Sequence, residues 1–217
     1  MATVNRGILD GFFGKVGTVI GSFWKGIPVM RAYVRRIHDP KNSAQRQIRA
    51  RFRAIIDLSS AFLAALRIGF KNVAASNHVT EGNVFTSKNW DAVHTDGGGS
   101  VTIDYSALVV SEGPLPEVLF GAPQFDNPLE VDVAFAANAD SPKASADDDV
   151  FVFVYCPDAR GGVLSSAVKR SVESVSVNVP AYWNGMKVHV WGFALGTAED
   201  NKGLVSDSTY IGTGNIG

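Results

Sequence analysis

Lys15 follows Gly14 in a glycine-punctuated opening, an arrangement that invites comparison with a phosphate-cradling loop. That chemistry needs a glycine five positions before Gly14 and a Ser or Thr after the lysine, so that backbone N–H groups and a hydroxyl can face phosphate and metal. Residue 9 is leucine and residue 16 is valine, so no nucleotide site is expected. The run Asp147-Asp148-Asp149 offers oxygen ligands for a hard cation, but the spaced aspartates, glycine and distal glutamate of a calcium loop are absent. It precedes an apolar run and reads as a solvated loop. His38, His78, His94 and His189 are scattered, with no i, i+4 pair and no carboxylate at catalytic spacing. His189 alternates with Val188 and Val190 and is expected to face outward or to sit at a rim. No G-x-S-x-G elbow is present. The single cysteine, Cys156, excludes an internal disulfide and a cysteine-based zinc site, and reads as a buried inert thiol. No catalytic residue, metal, cofactor or small-molecule substrate is expected, and the chain reads as a non-enzyme.

The chemistry that does stand out is cationic. The net charge of −1 conceals a strong asymmetry. Residues 1–71 carry 13 Lys and Arg against 3 acids, a balance of +10; residues 72–217 carry 7 against 18, a balance of −11. Such a split describes an acidic body with a basic extension. Arg31, Arg35, Arg36, Arg46, Arg49 and Arg53 are the candidate anion- or partner-binding residues.

These arginines need elements to position them. Residues 43–68 predict one amphipathic helix, with Ser43 as N-cap and Gly69 as its C-terminal glycine. Ile48, Phe52, Ile55, Ile56, Phe62, Leu63 and Leu66 recur at three- and four-residue spacings and form its apolar stripe. At 100° per residue Arg46, Arg49 and Arg53 fall on the opposite side. Cations in the first turns oppose the helix dipole by about 0.3–1 kcal/mol each, and Lys41 and Arg51 add to the repulsion. An anionic partner explains such a pattern: phosphate, or acidic side chains of this or another copy.

Upstream, Gly7, Gly11, Gly14, Gly17, Gly21 and Gly26 punctuate a basic arm. Val16, Thr18 and Ile20 alternate with Gly17, Val19 and Gly21, as in a strand that lies flat against another backbone. Gly14, Lys15, Gly17, Gly21, Trp24, Lys25 and Gly26 are the candidate assembly residues; whether residues 14–26 are strand or loop stays open. Asp39-Pro40 reads as a turn. Residues 85–93 predict a short helix containing Trp90, and 96–100 (Asp-Gly-Gly-Gly-Ser) a hinge. Two domains are expected, 1–99 and 100–217.

The second of them is all-β by texture. Runs at 101–104, 107–111, 129–136, 150–156, 173–179, 186–195 and 206–211 are rich in Val, Phe and Tyr with turn residues between. The expected fold class is α+β: a basic arm and amphipathic helix, then an antiparallel β-sandwich of immunoglobulin or fibronectin type, with Trp183, Trp191, Phe193 and Tyr210 between the sheets.

The opening GILDGFFGKVGTVIGSFWKG resembles a family of uncharacterised Bacteroidota proteins that begin G-x-x-G-K-V-G-x-V-x-G-x-x-W-K-G, followed by a basic stretch and a helix. Their C-terminal ends are similar to Ser206-Asp207-Ser208-Thr209-Tyr210, after a glycine-led strand like residues 185–194. The resemblance spans nearly the whole chain and implies common ancestry and a two-part architecture. It carries no activity and no site residues.

A self-assembling structural protein follows as the leading expectation: a homo-oligomer built through the arm, of the kind found in phage, virus-like particles or filaments. The second is a nucleic-acid-binding protein using the same arginines. A surface adhesin or carbohydrate-binding sandwich is the third. No apolar segment approaches the length of a membrane span, and no signal peptide is read, which places the expected protein in the cytoplasm or a released particle.

Overall fold

The computed structural model describes residues 3–4, 12–36, 39, 42–96, 100–138 and 143–217. Gly7, Gly11, His38, Lys41, Gly97–Gly99 and the Pro40 half of the Asp39-Pro40 turn lie outside the described residues. The fold is mixed α and β, with four α-helices and several antiparallel sheets among the described residues. The chain divides into two compact units, Met1–Asn42 and Ser43–Gly217.

In the first unit β1 (Thr3–Val4), β2 (Phe12–Val16), β3 (Val19–Trp24) and β4 (Ile27–Ala32) form an antiparallel sheet in chain order. The expected strand through residues 16–20 is interrupted. Gly17 and Thr18 make a two-residue turn, with Gly17 at φ +57°. Lys25 and Gly26 make the next, both left-handed at φ 47° and 83°, as a type I′ hairpin turn requires. Gly17, expected on a flat strand face with Gly21, therefore closes a hairpin, as does Gly26. Gly21 stays within a strand: it pairs with Gly14 across β2 and β3, and a Cβ at Gly21 would sit 2.7 Å from the Phe12 ring.

The second unit starts at the long helix. The single helix expected over 43–68 is two, α1 (Ser43–Ala61) and α2 (Leu63–Gly69), broken at the fully buried Phe62. Gly69 does not end the helical region, since α3 (Lys71–Ser76) follows directly. Its own Cβ would fall 2.8 Å from the Ser111 side chain, so glycine there permits close approach. Next come α4 (Glu81–Lys88), capped by the Thr80 hydroxyl accepting from the Asn83 N–H, and a 3-10 turn at Trp90–Ala92. Together these occupy the place of the short helix expected at 85–93.

β5 (Val93–Thr95) and β6 (Val101–Ile103) pair antiparallel across the expected hinge, where the Ser100 N–H donates to the Asp96 carboxylate at 2.7 Å. The compact units meet at 42/43, and the boundary expected near residue 99 falls inside the span of the second unit.

β7 (Leu119–Phe120), β8 (Glu130–Ala136), β9 (Asp149–Cys156), β10 (Gly161–Leu164), β11 (Val168–Lys169), β12 (Ser174–Asn178), β13 (Lys187–Leu195) and β14 (Thr209–Asn215) complete the unit. One sheet runs β10-β9-β13-β14 with β11 also on β9; another runs β12-β8-β7. The run expected as a strand at 107–111 is instead a 3-10 turn and an extended segment.

Two cores hold three layers. Val150, Val152, Val154, Cys156, Val188 and Val190 face Val131, Val133, Val175 and Val177 of the smaller sheet, with Trp183 among them. Phe151, Phe153, Tyr155, Trp191 and Phe193, on the other side of β9 and β13, pack under Ile55, Leu58, Phe62, Leu66 and Phe85 of the helices. A helical layer therefore covers what an immunoglobulin-type sandwich leaves to solvent. Trp191, Phe193 and Tyr210 lie beneath the helices and not between the sheets. Burial on both faces explains why residues 150–156 read as a nearly unbroken apolar run.

Candidate functional site

The register of the arm sheet assigns its residues to two faces. Directly opposed residues share a face, so Phe12, Gly14, Val16, Val19, Gly21, Phe23, Pro28, Met30 and Ala32 make one, which carries no charge. The other carries Phe13, Lys15, Ile20, Ser22, Trp24, Ile27, Val29 and Arg31. An ordinary sheet of this size buries one face. Here Met30 and Val16 are 70% and 55% exposed on the first face, and Phe13 and Trp24 are 64% and 50% exposed on the second. Of residues 12–36 only Gly21 is buried.

Lys15, Ile20 and Arg31 form one row across β2, β3 and β4, so the structure brings the two cations onto a single face. The Lys15 ammonium lies 3.5 Å from the centre of the Tyr33 ring, a cation–π contact that leaves it at the surface. Arg35 and Arg36 follow β4 and are exposed. Trp24, Lys25 and Gly26 form the second hairpin tip.

Arg46, Arg49 and Arg53 are exposed on α1, as their spacing predicts. The apolar stripe of this helix divides. Ile55 and Phe62 enter the core, whereas Ile48, Phe52, Ile56 and Leu63 stay exposed. Phe52 also lines an open groove of about 680 Å³ with Asn83, Thr86, Trp90 and Asp91. Arg51 belongs to a different surface: its guanidinium stacks 4.2 Å from the Trp90 ring, donates to the Trp90 carbonyl and pairs with Asp91 at 3.1 Å.

Several titratable groups of the body are held in internal contacts. Asp148, expected in a solvated loop, is fully buried and pairs with the equally buried Arg170 at 3.3 Å. Arg170 also donates to the carbonyls of Pro116 and Glu117 and to Asn138 Oδ1, while Asp148 accepts from the Ser145 N–H and the Asn201 amide. A lone buried charge is unfavourable, and the aspartate run lies where loops converge on a cation that compensates it. Burial lowers the Arg170 pKa while Asp148 opposes that shift.

His189, expected to face outward or to sit at a rim, is buried on the helical side of β13. Its ring stacks on Tyr105 at 4.2 Å, and its Nδ1 shares a 2.8 Å hydrogen bond with the Tyr210 hydroxyl. Burial, helped by Lys187, pushes its pKa down to about 4. Alternation misjudged it because both faces of β13 are covered. Burial likewise pushes the Tyr155 phenol up to about 12. Cys156 is a free, buried thiol, as expected. No group of three His, Cys, Asp or Glu side chains stands at metal-binding distance among the described residues.

The molecule is thus a three-layered α/β body preceded by a basic sheet without a core of its own. The chain belongs to a family of unknown function (DUF6266), whose model matches residues 11–212. No curated protein and no solved structure matches it. No described helix is long and apolar enough to cross a membrane.

Proposed function

We propose that this chain is a non-enzymatic structural protein that assembles with copies of itself through its N-terminal arm. The observation that carries the reading is the arm sheet, whose apolar side chains are exposed on both faces. Sheets of this size gain independent stability by burying a face against something. Contiguous exposed apolar surface rimmed by charge marks an interaction site. The opposite charges of residues 1–71 and 72–217 favour another copy as the partner, because the arm of one then meets the acidity of the next. Arm-to-body contacts of this heterologous kind close into rings or shells, or continue as filaments, the architecture of a phage-like particle or fibre subunit.

The test is the solution mass of the full chain and of residues 43–217, by light scattering at moderate salt. No described residue of 1–42 belongs to either core. A multimer that falls to the monomer mass on truncation supports the reading, and a full-length monomer of 23.1 kDa at all concentrations sinks it.

A second reading, nucleic-acid binding, is favoured by the exposure of Arg31, Arg35, Arg36, Arg46, Arg49 and Arg53. It predicts affinity for duplex or single-stranded DNA or RNA that falls steeply with salt, the slope growing with each phosphate neutralised.

A further inference from the structure

We infer that the arm of a second copy docks on the outer face of the β12-β8-β7 sheet. This rests on the self-assembly reading and adds where the arm goes. In β8 the residues Val131, Val133 and Phe135 point into the core, leaving Glu130, Asp132, Ala134 and Ala136 outward. In β12 Val175 and Val177 point inward and Ser174, Ser176 and Asn178 outward. The pairs Asn178–Glu130, Ser176–Asp132, Ser174–Ala134 and Leu119–Ala136 then order the face from an acidic end to an apolar one. It bears no cation on these strands. At its apolar end lies a depression of about 430 Å³ lined by Leu119, Phe120, Ala134, Phe135, Ala136 and Glu173. Leu119 is 64% exposed beside it. The small outward side chains leave the surface flat enough for a second sheet to lie about 10 Å away.

The charged face of the arm shows the same gradient. Its rows run Lys15–Ile20–Arg31, then Ser22–Val29, then Trp24–Ile27. From Ile20 to Trp24 is four residues along β3, about 13 Å at the strand rise. From Asp132 to Ala136 is also four residues along β8, about the same 13 Å. Setting the cationic row over Asp132 and Glu130 therefore brings Trp24 and Ile27 over Ala136, Leu119 and the depression. Charge and apolar area match best in this alignment: reversing the arm would set Lys15 and Arg31 over the apolar end, where Glu173 lines the depression, and Trp24 and Ile27 over Glu130 and Asp132. A nucleic acid fits the cations alone and would be repelled by Glu130 and Asp132.

Reciprocal charge reversal in the full-length protein tests this, read by light scattering with circular dichroism to confirm folding. Lys15→Glu with Arg31→Glu impairs the arm. Glu130→Lys with Asp132→Lys impairs the face. Because the Asp132 carboxylate also accepts from Asn127 and Ser176, Glu130→Lys with Asn178→Lys provides a second face variant that leaves those bonds intact. Each variant alone is expected to associate roughly a hundred-fold more weakly, as like charges are brought together. An equimolar mixture of arm and face variants should assemble again in alternation, since the unchanged arm of one meets the unchanged face of the other and the two reversed surfaces attract in turn. A chain carrying both reversals should assemble again. If truncation of residues 1–42 abolishes assembly but both face variants keep the wild-type mass, the docking site is overturned while arm-mediated assembly stands. If the full chain is a monomer, both fall.

Discussion

In Ser43–Gly217 the strands β9 and β13 bury nearly every side chain on both faces, whereas in the N-terminal sheet residues of the same kind lie open to solvent. Phe153 and Trp191 are fully buried, and Phe23 and Trp24 are about half exposed. Both regions are antiparallel sheets of Val, Ile and aromatic residues, so composition does not separate them. What differs is whether the chain supplies a covering layer. The body does so twice, with helices on one side of its main sheet and the β12-β8-β7 sheet on the other. The first unit has no helix among its described residues. On the proposed reading, a sheet left in that state is half of an interface between copies of the chain.

Substitutions should separate the two regions sharply. Phe62 touches the rings of Phe85, Phe153, Tyr155 and Trp191, so Phe62→Ala should cost about 3–5 kcal/mol of body stability in urea unfolding. Asp148→Asn strands the buried Arg170 charge and should cost about 3 kcal/mol or more by the same measurement.

Acid should act on the body through His189. Its pKa is about 4 in the folded chain against about 6.5 when unfolded, so the unfolded state takes up the proton first. This contribution is present above pH 6.5 and is lost as pH falls toward 4. His189→Phe should flatten that part of the stability–pH profile, and an unchanged slope would contradict the assignment. Arg51→Ala, at a partly buried stack on Trp90, should cost about 1 kcal/mol. Ile27→Ser should leave body unfolding within about 0.5 kcal/mol of the parent while weakening assembly. Arm and body would be energetically continuous if Ile27→Ser moved body unfolding as Phe62→Ala does.

Much of this architecture is legible in the residues. The helix beginning at Ser43, the arginine side of α1, most body strands and the buried Cys156 follow from period and spacing. The failures share a cause. His189, Asp148 and Trp191 were misplaced because a pattern in one strand cannot report a second covering layer contributed from far along the chain. The Phe62 break is invisible because a buried phenylalanine suits either a straight helix or a bend. The hairpin turns at Gly17-Thr18 and Lys25-Gly26 were readable: two-residue glycine turns between apolar runs are the hairpin signal, masked here by the glycines around them. For the assembly surface, the charges of Lys15 and Arg31 and the acids of β8 were visible. Their grouping into matching gradients required register, which sequence alone does not give.

Hydrogen exchange of backbone amides at several protein concentrations tests the central claim most directly. The account predicts that amides of β2, β3 and β4 exchange rapidly in dilute protein and become protected as concentration rises, while those of β9 and β13 stay protected throughout. Strong protection of the arm strands at every concentration, in a chain that remains monomeric, would show a sheet stable without a partner and would contradict it.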